Sequence, residues 1–249
     1  MGDATKIEWT DSTFNSWIGC QRVSPGCDLC YAETWNNRFH LAGWGPRGER
    51  VRTSPETWRK PVKWNKEAVE QGRSHRVFCA SLADVFDNQV PEAWRDDLWH
   101  LIRETPALDW QLLTKRPENV GKMLPPDWGA CGYSNVWLGI SAEDQEWFDR
   151  RWPILASTPA VVRFISYEPA LGPLTLKPSN GALPDWTIAG GESGLNARLM
   201  DPAWARSIRD QCADLGVPFF MKQMTGKKPI PADLIVREFP AIQQEEKWK

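Results

Sequence analysis

Apolar residues in this chain gather into short runs, each released into a polar or glycine-rich exit. The runs are HRVFCASLAD (75–84), DWQLLTKRPEN (109–119), NVWLGISAED (135–144), VVRFISYEPAL (161–171), DWTIAGGESG (185–194) and VPFFMKQMTG (217–226). A short apolar run bounded by turn residues predicts a buried strand. With STFNSWIG (12–19) as a first strand, the pattern gives about seven strands.

Segments between the runs carry the helical period instead. In PEAWRDDLWHLIRETP (91–106), Trp94, Leu98, Leu101 and Ile102 fall on one face, with Pro91 near the start. DPAWARSIRDQCADLG (201–216) opens on an Asp cap followed by Pro and closes on Gly216. DQEWFDRRWPIL (144–155) is a less regular third helix.

Strands alternating with helices imply parallel pairing and right-handed crossovers. The expected fold is α/β, a partial (β/α)6–7 TIM-like barrel of parallel strands, with a doubly wound sheet as the competing topology. Either places the polar strand exits on one face, where ligands bind. We read residues 1–249 as one such domain, interrupted at about 38–76 by a basic, tryptophan-containing insertion. That insertion holds ten Lys or Arg against four Glu, with Trp44, Trp58 and Trp64 interleaved. It reads as an irregular excursion plus a short helix.

Composition narrows the class. Hydrophobic residues at 41% support a buried core, and a net charge of −2 excludes a globally basic nucleic-acid binder while leaving local patches open. No apolar run approaches the roughly 20 residues of a membrane span, so no membrane partner is expected. The start MGDATKIEWTDSTF lacks a basic-then-apolar leader, and a cytoplasmic, reducing location follows as an expectation. There, clustered cysteines point to metal or catalysis rather than cross-links.

Such a cluster exists. Cys20, Cys27 and Cys30 lie in GCQRVSPGCDLCYA (19–32) with spacing C-x6-C-x2-C, and Pro25–Gly26 turns the chain before the close pair. Thiolates suit zinc or iron–sulfur clusters. Structural zinc takes four protein ligands, and no histidine sits at a zinc-finger spacing. Three cysteines suit a four-iron cluster with one iron open. Zinc and unliganded thiols remain alternatives. Cys79, Cys131 and Cys212 share no spacing and read as packing residues.

The loop resembles the signature of radical S-adenosylmethionine enzymes: near the N-terminus, after a first strand, with Leu29 before the third cysteine and Tyr31 after it. The usual first spacer is three residues rather than six. GCxxxSPGCDxCYA together with LLTKRPEN, GISAED, SYEPALGP, GGESG and FFMKQ is also similar to a phage-associated three-cysteine-motif family of unknown function. The resemblance implies a four-iron, four-sulfur cluster on Cys20, Cys27 and Cys30, with S-adenosylmethionine on its open iron as the source of a deoxyadenosyl radical.

Strand exits would complete the site. Tyr31, Ser81, Asp84, Ser141, Glu143, Gly190, Gly191 and Glu192 are the candidate cofactor contacts, and Lys115, Glu168 and Lys222 the candidate catalytic groups. Paired glycines allow close backbone approach. Ser141 with Asp144 also reads as a helix cap, and Lys115 with Arg116 could hold a carboxylate or phosphate. No P-loop, G-x-G-x-x-G or H-E-x-x-H motif occurs.

Arg47, Arg50, Arg52, Arg59, Lys60, Lys63 and Lys66 are candidate DNA or RNA contacts, with neighbouring tryptophans to stack on bases. The bland reading is a solvated lid whose tryptophans pack on the barrel. Base modification or repair is the substrate extension. The rival of another class is a zinc-stabilised, non-catalytic nucleic-acid-binding module of phage or mobile elements. A protein partner is left open.

Overall fold

A computed structural model of the chain describes residues 5–194 and 196–241. Seven strands form one sheet: β1 (Ser12–Phe14), β4 (His75–Cys79), β5 (Leu108–Thr114), β6 (Val136–Ser141), β7 (Val162–Tyr167), β8 (Trp186–Gly190) and β9 (Phe219–Gln223). Every neighbouring pair is parallel, and the strands follow one another across the sheet in chain order. A doubly wound sheet would reverse direction at a switch point. This one has none, and it curls into a half-barrel.

Alternation along the strands explains the two cores. Outward-facing Val77, Cys79, Trp110, Leu112, Leu138 and Ile165 pack beneath helices α3 (Glu92–Arg103), α5 (Gln145–Ala156) and α6 (Pro202–Leu215). Inward-facing Phe78, Trp137, Phe164, Trp186, Ile188 and Phe220 close on Trp9 as a separate cluster inside the curl. The fit is tight: a Cβ on Gly139 would lie 2.3 Å from the Phe164 ring, which fills the place of a β6 side chain. Nearer the carboxyl ends the same inward face turns polar, with Lys115, Ser141, Ser166, Glu168 and Lys222 lining a cavity. The aromatic plug is therefore the floor of a polar bowl.

The three helices expected between runs are present, and their stops and starts are those the sequence signals. Asp144 and Asp201 accept hydrogen bonds from the backbone N–H of Trp147 and Ala203, and Gly216 takes the left-handed C-cap at φ 67°. Asp144, not Ser141, is thus the cap of α5; Ser141 ends β6.

Other segments differ from expectation. STFNSWIG is two short strands, because β2 (Trp17–Ile18) leaves the sheet and pairs antiparallel with β3 (Val51–Arg52). In place of a short helix, α2 (Pro55–Gln71) runs 17 residues and carries Pro61 inside it. That proline reads as a break in sequence, yet it packs inward with Trp64 and Ala68, and tertiary burial overrides propensity. Helices α1 (Tyr31–Phe39) and α4 (Pro117–Met123) are additional. Among the described residues no helix is long and apolar enough to cross a membrane.

Candidate active site

The cysteine loop lies across the open end of the bowl. All three thiols line the cavity of about 160 Å³ whose wall includes Lys115, Ser141, Glu168 and Lys222. Cys79 and Cys212 are buried elsewhere in the outer core, and Cys131 is exposed.

Cations surround the thiols, and one of them touches a sulfur. The buried Arg116 guanidinium reaches the Cys20 sulfur at 3.6 and 3.7 Å from its two terminal nitrogens and donates to the Gln21 carbonyl at 2.9 Å. Asp84 holds Arg116 at 2.9 Å and also accepts from the Thr114 hydroxyl and the Lys115 amide. Burial pushes the Cys20 thiol up to about 11, with Arg116 pulling the other way. Cys30 is also raised by burial, opposed by the amides of Glu33 and Ala32 at the start of α1 and by Lys115. Burial lowers the pKa of Arg151, opposed chiefly by Glu143, with which it pairs at 2.9 Å, and then by Cys27.

The long spacer between the first two cysteines is fastened at its middle. Ser24 donates to Glu143 at 2.6 Å, and the other Glu143 oxygen accepts from Arg151 at 2.9 Å. Gly26 lies so close that a Cβ there would meet Glu143 at 2.3 Å. Arg198 donates to the Pro25 carbonyl at 2.8 Å and binds Glu192 through its side chain and its backbone N–H. Behind Cys20, Gly19 (φ 112°) packs on the Arg50 side chain, which forms a buried pair with Asp87 at 2.7 Å.

The expected site residues therefore occupy different stations. Cys20, Cys27, Cys30, Tyr31, Ser81, Asp84, Lys115, Ser141, Glu168, Glu192 and Lys222 line one cavity. Within it, Lys115 donates to the Ser141 hydroxyl at 2.9 Å and Lys222 pairs with Glu168 at 2.5 Å. The Tyr31 hydroxyl donates to the Ser81 carbonyl at 2.8 Å. Glu143 is buried beneath the loop as its anchor. Gly191 borders protein, since a Cβ there would meet the Thr225 backbone nitrogen at 2.5 Å, and Gly190 lies behind the cavity-lining Glu168 side chain, 3.2 Å from where its Cβ would stand.

In the 38–76 stretch, Arg50 is internal. Arg52 pairs with Asp97 at 2.7 Å and lies over the Trp58 ring, while Lys63 and Lys66 pair with Glu67 and Glu70 one turn on. Arg47 and Arg59 are exposed and Lys60 is partly so. Trp64 is buried, Trp58 packs edge-on against Phe14, and Trp44 lines the cysteine cavity.

Sequence reasoning missed Arg151 and Arg198. Arg151 carried a signal, since it shares the inward face of α5 with Phe148, Trp152 and Leu155, and a buried arginine requires a carboxylate. Arg198 sits in an irregular segment and its role is purely tertiary.

The bearing of known proteins on this site is narrow. Residues 4–241 match the profile of a family described as "Protein of unknown function (DUF5131)". The chain belongs to DUF5131. No curated protein matches this DUF5131 chain in sequence. In structure it is similar to a spore photoproduct lyase variant with bound AdoMet and dinucleoside spore photoproduct, at 12% identity and a TM-score of 0.49, covering 88% of this chain and 61% of that one. A second spore photoproduct lyase variant with the dinucleoside spore photoproduct gives 12% identity and a TM-score of 0.44, covering 84% and 64%. The DUF5131 chain thus spans under two thirds of the length of either.

Among the described residues no three His, Cys, Asp or Glu side chains stand together as a site for a single metal ion. Three cysteines on one cavity match the ligand number of a four-iron cluster with one iron open. A cubane takes its thiolates on separate irons, so its ligands surround a volume rather than converge on a point. Three thiolates bring three negative charges; Arg116 touches the Cys20 sulfur, and Lys115 and Arg151 add positive charge nearby. A buried Arg151 terminal nitrogen has no hydrogen-bond partner and is available as a donor.

Proposed function

We propose that this DUF5131 chain is a radical S-adenosylmethionine enzyme. The observation that carries the reading is the set of three thiols on one cavity at the carboxyl end of the half-barrel, with Arg116 against the Cys20 sulfur and no fourth cysteine lining the cavity. Cys20, Cys27 and Cys30 would hold the four-iron, four-sulfur cluster and leave one iron open to the cofactor's methionine end. When bound, cluster and cofactor together supply one-electron reductive cleavage of the sulfonium and a carbon radical for hydrogen abstraction.

The chain's own residues bind, orient and exclude water. Arg116 fixes the Cys20 sulfur and neutralises its charge, and Arg198 and Glu143 fix the spacer so that Cys27 and Cys30 face the bowl. Tyr31 and Ser81 close the rim. Lys115 presents its ammonium, with Ser141, to an anionic group of cofactor or substrate. The Lys222–Glu168 pair on the opposite wall orients a polar substrate group and can hold a proton at the Glu168 carboxylate. The aromatic floor of Trp9 and Phe78 shields the cavity from below. The substrate class is a nucleotide or nucleic acid, and the chemistry its modification or repair.

Anaerobic reconstitution tests the reading. We expect about four irons per chain and the broad visible absorption of a cubane cluster, followed by cofactor cleavage on reduction. Cys27→Ala should lose both the iron and the cleavage. Stoichiometric zinc with no cofactor cleavage would sink the proposal in favour of a zinc-stabilised binding module.

A further inference from the structure

A second cleft adjoins the bowl on its outer side. It has a volume of about 250 Å³ and is lined by Lys6, Lys222, Lys227, Lys228 and Arg237 against one carboxylate, Glu8. Glu8 pairs with Arg237 at 2.8 Å, and Lys222 reaches through to Glu168. Among the described residues, none pairs with the amines of Lys6, Lys227 or Lys228. The cleft is bounded by the segment entering β1 and by the end of β9, the two edge strands of the sheet, where the half-barrel stays open.

Two further features single it out from an ordinary basic surface. Lys222 lines both cavities, so a ligand held in the cleft lies one side chain away from the bowl. Lys227 has φ 58°, directly after Gly226 at φ 64°. The left-handed region disfavours any residue with a Cβ, and strain of this kind concentrates where a side chain is needed in place. Here it projects an ammonium with no partner among the described residues into a cleft lined by five cations and one carboxylate.

We propose that this cleft is a phosphate-binding subsite. It docks the anionic part of the substrate at the open edge and leaves the attached organic portion to cross Lys222 into the bowl. The proposal deepens the reading of the bowl as an active site, but anion capture itself needs no cluster. Phosphate could come from a small phosphorylated molecule or from the phosphodiester backbone of a single strand. Lysines serve either as point charges with exchangeable geometry.

The test uses the full chain without metal, so that failure of the cluster reading leaves it intact. Calorimetric or fluorescence titrations are run with inorganic pyrophosphate and, separately, with a short single-stranded oligonucleotide. We expect saturable binding of at least one probe. For the strand, log affinity should fall against log salt with a slope of about −2, about 0.7 for each of the three lysines Lys6, Lys227 and Lys228 that engages a phosphate. The double variant Lys227→Ala, Lys228→Ala touches only exposed side chains and should fold normally by circular dichroism. It should weaken binding at least about tenfold and flatten that slope by roughly 1.5 units. Pyrophosphate binding alone assigns a small phosphorylated substrate, and strand binding alone assigns a backbone. No binding of either probe overturns the proposal. So does binding that is indifferent to the double variant, or that is lost instead in Lys63→Glu, Lys66→Glu on α2.

Discussion

The cysteine loop and the 38–76 stretch look equally functional in sequence, one for its thiols and the other for its charge, yet the fold treats their ionic groups in opposite ways. Beneath the loop, Asp84–Arg116 and Glu143–Arg151 are buried, the first reaching the Cys20 sulfur and the second the Ser24 hydroxyl, while Glu192 is buried against a half-exposed Arg198 that reaches the Pro25 carbonyl. Along α2 the charges pair with neighbours one turn away and stay in water. Where the stretch does turn inward, at Arg50–Asp87, it does so to support Cys20. The lesson concerns desolvation. A buried ion pair is a poor source of stability by itself, so two of them around one loop, with a third half-buried, mark a place where position matters more than stability.

Breaking the contrast at its strongest point should have the largest effect. Arg116→Ala leaves Asp84 buried and uncompensated and should cost about 3–5 kcal/mol in chemical denaturation; Arg116→Lys should recover part of it. A loss under 1 kcal/mol would mean that Arg116 is not the partner that fixes the loop. Next comes Gly26→Ala, whose new methyl collides with the Glu143 carboxylate. We expect a stability loss of about 1–3 kcal/mol and a larger fractional loss of reconstituted iron than of fold, read by iron content against circular dichroism.

Cys20 provides a sharper probe with no mutation of the loop. Its thiol, held at about 11 by burial, is protonated near neutrality. Alkylation at Cys20 should therefore accelerate about tenfold per pH unit between roughly 8 and 10, resolved from exposed Cys131 by peptide mass spectrometry. A rate that levels off below pH 9 would place the thiol's titration lower and leave Arg116 dominant over burial. The smallest effect belongs to the other region: Lys66→Ala on α2 should change stability by no more than about 0.5 kcal/mol.

How much of this was legible depends on whether the signal is local. Strands and caps are local. The run VVRFISYEPAL and the Asp201-Pro202 start of α6 express periodicity and hydrogen-bond chemistry that neighbours in sequence decide among themselves, and both appear as read. The placement of the three cysteines after the first strand was legible for the same reason. The β2–β3 pairing was not, because Trp17 and Arg52 find each other across 35 positions of sequence. Pro61 hid the length of α2, since its burial against the core outweighs its local penalty. Gly190 and Gly191 were ambiguous in sequence: a glycine pair at a strand exit suits a ligand and a neighbouring loop equally, and the fold sets the Thr225 turn against Gly191 and the Glu168 side chain against Gly190. The lysine cleft was invisible because its members come from both edges of the sheet.

Trp9 belongs at once to the aromatic floor and to the cavity wall, with ring contacts to Phe78 at 4.7 Å and Trp186 at 6.2 Å. That arrangement makes the floor an optical antenna. Tryptophans this close exchange excitation among themselves, so whatever absorbs or quenches at the bowl drains emission from several of them together. Titrating a coloured or quenching ligand into the bowl should dim the protein by more than one tryptophan's share. A ligand confined to the outer lysine cleft should leave the emission nearly unchanged, and the protein itself then reports which of its two cavities has been filled.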